Sequence, residues 1–283
     1  AKLTPAQFMQ HRIIRIVPLY WAITLLLAMI SLLAPQLLGV TSFKPWHILA
    51  SLFFIPVEHP SLPGEILPFL IQGWTLNYEM FFYIIFAATM LFSRSTMFIA
   101  IFIAFMVLIA SGIIEDSNIA TTTFYTSPIL LEFLFGVTLA QLYLRGLVLP
   151  RRGAWFLIGA GVVALIVTGI TDIGFGPSGV NPERVIYWGL PSFCITAGVV
   201  FLARPQQRES GVFWKLGELS YSLYLTHTVV LPAMSILWYQ SNFSFHGFSG
   251  MLFSVTTGIV AVFCGLLSYQ LFERPVMLFL KRK

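Results

Sequence analysis

The chain reads as all-α: a polytopic bundle of transmembrane helices. Two observations predict it. Of 283 residues, 58% are hydrophobic and only 10% are charged, against about 25% charged in a soluble domain, and the mean hydropathy is +0.86. Such a chain lacks the polar side chains that cover a water-facing surface. That excludes an ordinary soluble enzyme, a disordered protein and a disulfide scaffold. The second observation is that the apolar residues gather in runs of about 17–25, the length a helix needs to cross a hydrocarbon core of about 30 Å.

Taken in order, eight runs meet that length: residues 16–38, 74–92, 96–114, 128–144, 154–170, 185–203, 219–238 and 251–272. A ninth, 46–56, has about half of it and lies between Pro45 and Pro56, so it predicts a short re-entrant or interfacial segment rather than a span. Loop charge orients the set. Arg145, Arg151 and Arg152 mark one connection as cytoplasmic, as do Arg204, Arg208 and Lys215, and the tail Lys281, Arg282 and Lys283. Connections 115–128, 171–183 and 240–250 carry almost no Lys or Arg and read as external. With the short segment not spanning, Arg12 and Arg15 fall inside, which predicts both termini cytoplasmic. The excess of 16 Lys+Arg over 11 Asp+Glu is thus a loop-charge pattern and no sign of nucleic acid. Cys194 and Cys264 lie within apolar runs and read as small packing residues. Gly136 to Ala140, and Gly159 with Gly161, offer small surfaces for close helix contact.

Ionisable side chains inside apolar runs are costly, and they mark function or a specific partner. Glu79 lies one to two turns into its run, with Trp74, Asn77 and Tyr83 beside it. Glu132 sits one turn into residues 128–144. His227 lies deep in residues 219–238, and Tyr221, Tyr224 and His227 recur at i, i+3 and i+6, one stripe of a helix. Arg12 and Arg15, also i, i+3, stand at the inner mouth of the first span. Duller roles stay open for each: headgroup-snorkelling arginines, an interfacial carboxylate that reaches water, a histidine satisfied by a backbone carbonyl. His11, His47, His59 and His246 fall in loops or at helix ends and are weak signals. No His/Cys/Asp/Glu grouping has metal-ligand spacing, and no phosphate-cradling glycine loop or nucleophile elbow is present.

Five segments resemble the membrane acyltransferase-3 family. Arg12-Ile13-Ile14-Arg15-Ile16-Val17-Pro18-Leu19-Tyr20-Trp21 is similar to its Arg-x-x-Arg-Ile-x-Pro-x-Tyr-Trp element, and Trp74 to Tyr83 to its Trp-Ser/Thr-Leu-x-x-Glu-x-x-Phe-Tyr element. Glu132-Phe133-Leu134-Phe135-Gly136 resembles its Glu-Phe-x-x-Gly helix, Ser220 to His227 its Ser-Tyr-x-x-Tyr-Leu-x-His helix, and Phe272-Glu273-Arg274-Pro275 its closing Glu-x-Pro. The Asn-Tyr-Glu-Met version of the second element looks most like the family's exopolysaccharide O-acetyltransferases.

The resemblance implies an integral-membrane O-acyltransferase in the bacterial cytoplasmic (inner) membrane, one domain over residues 1–283. It would move acetyl from acetyl-CoA, a substrate rather than a permanent cofactor, to a hydroxyl of an envelope polysaccharide or lipid-linked oligosaccharide. It implies donor binding by Arg12 and Arg15 and a role for Glu79 in orienting a histidine or the acceptor. Trp74, Asn77, Tyr83, Glu132, Tyr221, Tyr224 and His227 would line the cavity. It also implies that the sequence lacks the family's first two helices, where the principal histidine is expected upstream of residue 1. The alternative is a transporter or flippase of a glycan or acyl intermediate, its carboxylates lining a pathway. Against that stand the five segments and the lack of an inverted repeat or paired broken helices. An inert structural membrane subunit is a third reading, disfavoured by the ionisable groups within apolar runs.

Overall fold

The computed structural model describes residues 3–37, 42–115, 119–171, 182–202 and 211–281. Helix α1 runs Pro5–Leu33, starting three turns before the apolar run does. The cause is a capping box: Thr4 Oγ1 accepts the Gln7 amide (3.2 Å) and Gln7 Oε1 accepts the Thr4 amide (3.0 Å), which satisfies two orphan donors of the first turn. Arg12 and Arg15 therefore lie within α1, just ahead of its apolar run. The short segment forms α2, Pro45–Leu52, and is followed by an antiparallel hairpin of β1, Glu58–His59, and β2, Leu62–Ile66. This small sheet was not expected of an all-α chain.

A 3-10 turn, Ile71–Gly73, leads into α3, Trp74–Thr89, and Ser93 caps α4, Arg94–Ile114. The fourth predicted span, 128–144, forms α6, Leu130–Leu144, and a short helix α5, Ala120–Tyr125, precedes it in the connection. Then come α7, Arg151–Thr171, and a π-helical turn Val185–Gly189 that continues into α8, Leu190–Leu202. Helix α9, Val212–Gln240, and α10, Gly247–Ser268, follow, and a second π-helical turn, Tyr269–Glu273, joins α10 to α11, Arg274–Lys281. Arg204, Arg208, Arg282, Lys283 and most of connection 171–183 lie outside the described residues, as do residues 38 and 203 at two predicted span ends.

Packing neighbours run in the order α10, α9, α1, α3, α4, α6, α8, α7. Six helical stretches among the described residues are long and apolar enough to cross a membrane: Pro5–Leu33, Arg94–Ile114, Ala120–Leu144, Arg151–Thr171, Val185–Leu202 and Gly247–Lys281. Eight were expected. The other two runs are helices of the same bundle, but α3 has only 16 residues, and the polar positions from Ser220 to Thr228 lower the hydropathy of α9. These two helices carry most of the polar residues that set up the site.

Only 17% of the most apolar window of α4, and likewise of α7, is buried in the protein, so their apolar side chains face outward, where lipid satisfies them. Lipid tails are as apolar as leucine, so helices associate there through close van der Waals fit. Helices α7 and α8 achieve it with glycine. A Cβ at Gly161 would come within 2.6 Å of the Pro191 carbonyl oxygen, and one at Gly198 within 2.6 Å of the Ala154 carbonyl oxygen. Gly159 and Gly136, also predicted as contact points, have open space where a Cβ would stand.

Candidate functional site

Helix α1 sits between α3 and α9. The Tyr20 hydroxyl and Ser51 Oγ are 2.8 Å apart, which ties α1 to α2. Gly73 lets the start of α3 lie against the Tyr20 ring, because a Cβ there would be 2.7 Å from it. Tyr221 donates to the Ile16 carbonyl (2.7 Å), which ties α9 to α1. Tyr224 donates to the Gln72 carbonyl and accepts from Thr75 Oγ1 (2.6 Å). Helix α3 therefore starts at the level of Tyr20 and descends antiparallel to α1. Six residues at 1.5 Å each, about 9 Å, bring Glu79 down beside the arginines.

The result is a cavity of about 580 Å³ lined by Arg12, Arg15, Ile16, Thr75, Leu76, Glu79, Tyr83, Ser220, Tyr221 and Tyr224. Tyr83 donates to the Glu79 carboxylate one turn away. The Arg12 guanidinium lies between two rings, 5.1 Å from the Phe8 centroid and 5.0 Å from that of Tyr83. These contacts hold it by cation–π attraction and leave Nε buried with no hydrogen-bond partner among the described residues. Arg15 is exposed at the opening. The site thus presents two guanidinium groups, one carboxylate and several hydroxyls inside an apolar bundle. Guanidinium forks bind phosphate oxygens in pairs, and the carboxylate can accept a proton or a hydroxyl hydrogen bond.

The other predicted cavity residues lie elsewhere. His227 packs on the Tyr224 ring, centroids 5.7 Å apart, but does not line the cavity, since its position turns it past the face shared by Tyr221 and Tyr224. Asn77 is buried, and neither amide atom has a hydrogen-bond partner among the described residues. Glu132 and Trp74 form a second polar group with Arg184, which the sequence reading missed. Arg184 Nε is 3.7 Å from Glu132 Oε1, and its guanidinium stands 5.2 Å from the Trp74 ring. A smaller cavity of about 200 Å³ opens beside Glu132, Ser192 and Thr196. Among the described residues no three His, Cys, Asp or Glu side chains come together as metal ligands.

A family model described as an acyltransferase domain, of the acyltransferase-3 type, matches residues 2–270. The chain belongs to this acyltransferase family. It is 32% identical over 280 residues to the exopolysaccharide production protein ExoZ of Rhizobium meliloti (strain 1021), covering 97% of this chain and 82% of that protein. No solved structure matches the chain. Membership of the acyltransferase family makes it a membrane acyltransferase, and an acyltransferase needs a chamber that holds a donor and a nucleophile together. The cavity between α1, α3 and α9 brings residues of three of the five sequence segments to one place: Arg12 and Arg15, Thr75 to Tyr83, and Ser220 to Tyr224.

Proposed function

We propose that the protein transfers acetyl from acetyl-CoA to a hydroxyl of an envelope or secreted polysaccharide, or of its lipid-linked oligosaccharide precursor, in the cavity between α1, α3 and α9. The observation that carries this reading is the meeting of Arg12, Arg15 and Glu79 in one 580 Å³ space. Acetyl-CoA joins a thioester to a multiply charged phosphate head. Arg15 at the opening and Arg12 behind it suit that head, while the thioester end of the pantetheine arm reaches toward Glu79. The acceptor oxygen attacks the thioester carbonyl carbon, the C–S bond breaks, and the hydroxyl proton passes through a general base to the leaving thiolate, giving the ester and free CoA. Glu79, with Tyr83 fixing one side of its carboxylate, holds the acceptor hydroxyl or orients the base.

Sidedness follows the same logic. His11, Arg12, Arg15 and Lys281 line one opening together with Glu218 and Glu273, and the cations at this end support a cytoplasmic face, where CoA resides. The bacterial relative named for exopolysaccharide production supports the inner membrane and a polysaccharide acceptor. The test is transfer of radiolabelled acetyl by the intact protein. Arg15→Ala should raise the KM for acetyl-CoA about tenfold or more, the loss of one charge-assisted contact. Glu79→Gln should lower kcat about 100-fold with little change in that KM. Unaltered transfer by both variants overturns the site assignment.

A further inference from the structure

A second cavity of about 330 Å³ adjoins the first and shares Arg12 and Arg15 with it; its other lining residues include Glu218, Tyr269, Glu273 and Lys281. Glu273 is the group the proposed chemistry leaves unused. It is 3% exposed and ends the π-helical turn Tyr269–Glu273, which packs against α1 and α9. A π turn carries an extra residue that breaks the side-chain register of the helix, and such turns gather at functional sites. One carboxylate oxygen accepts from Ser222 Oγ, itself fully buried. The other, Oε1, is buried with no hydrogen-bond partner among the described residues. An ionised carboxylate oxygen without a partner in such a place is costly. Arg15, which lines the same chamber, has five donors, more than a bidentate phosphate contact uses.

We propose that Glu273 is a positioning residue: when donor binds, its free oxygen takes one N–H of Arg15 and holds the guanidinium fork facing the donor phosphates. This rests on the reading that Arg15 contacts a CoA thioester. A carboxylate behind the guanidinium fixes which edge faces the chamber, and part of the ordering cost of a long side chain is met by the protein rather than by the ligand. The purely structural role, anchoring Ser222 of α9 to the end of α10, predicts something different: loss of stability without a specific effect on donor binding.

The experiment is a double-mutant cycle in acetyl transfer with acetyl-CoA varied, using wild type, Glu273→Gln, Arg15→Ala and the pair. Glutamine keeps the shape and an acceptor for Ser222 while removing the charge. Glu273→Gln is expected to raise the KM for acetyl-CoA about tenfold with kcat within about twofold, and to add less than about twofold once Arg15 is alanine. Full additivity, an unchanged KM, or a fall in kcat alone overturns the proposal. If Glu273→Gln does not fold, Glu273→Asp serves in the same cycle: it keeps the charge on a shorter stem, and an intermediate KM that still depends on Arg15 is expected. An Arg15→Ala variant with unchanged KM removes the site reading itself, whereas a normal Arg15 effect with additive behaviour removes only the role of Glu273.

Discussion

His47 and His59 lie edge to face, ring centroids 5.1 Å apart, in the segment between α1 and α3. Both are buried. His47 Nε2 donates to the Leu67 carbonyl (2.9 Å) and His59 Nδ1 accepts the Ser61 amide (3.2 Å), so each ring is held as one neutral tautomer. Burial lowers the pKa of both below the usual histidine value; the Leu67 carbonyl partly opposes this for His47, and positive charge on His47 adds to it for His59. The unfolded chain therefore binds protons first as pH falls through about 6.5, and the stability of this segment, full above that pH, is lost toward the lower folded values. Thermal unfolding should shift to lower temperature at pH 5 than at pH 7.5, and a His47→Asn/His59→Gln pair should flatten that dependence. The sequence graded both histidines as weak signals, because nothing local announces that Leu67 and Ser61 arrive beside them. Arg12, Arg15, Glu79, Tyr83, Tyr221 and Tyr224 were legible, since a charge or a tyrosine stripe within an apolar run needs polar company. Which company was not legible. Glu132 and Trp74 went to Arg184, whose position just ahead of the π-helical turn Val185–Gly189 gave no hint of that pairing.

Between elements, α7 and α8 meet through glycine, and only one of the two glycines that the sequence offered on α7 does the work. Gly161→Leu would drive a side chain into the Pro191 carbonyl and Ile195, and should cost about 1–3 kcal/mol by overpacking, read as a lower Tm in detergent. Gly159→Leu meets open space and should leave Tm nearly unchanged, since leucine suits lipid contact and a helix interior. Equal losses at both positions would contradict this packing. Helix centres were readable from apolar length, and so was the start of α3 at Trp74; its level against α1, and the early start of α1, were not. Helix α1 gained three turns from a capping box ahead of its apolar run, and α3 starts low because Gly73 admits the Tyr20 ring. The hairpin of β1 and β2 had no alternating apolar pattern to reveal it, being five residues paired with two.

For the whole molecule, acetyl-CoA binding should register as stability. A ligand at 100 times its Kd adds about 2.7 kcal/mol, so free CoA or acetyl-CoA should raise Tm by several degrees, and Arg15→Ala should reduce the rise at fixed ligand. A transporter of glycans would show no response to CoA. Composition and run length by themselves determined the membrane class, the helical bundle and the approximate position of each long helix, because the thickness of the hydrocarbon core and the cost of an unpaired backbone group act on every residue alike. The five segments in order carried the acyltransferase resemblance. Only the tertiary structure decided which polar residues share a space: Arg12, Arg15 and Glu79 in one cavity, Glu132 with Arg184 in another place, Glu273 at the back of the arginines. The physical reason is that the level and rotation of each helix are set by a few close contacts, Gly73 against Tyr20 and Tyr221 on the Ile16 carbonyl among them, between residues far apart in sequence.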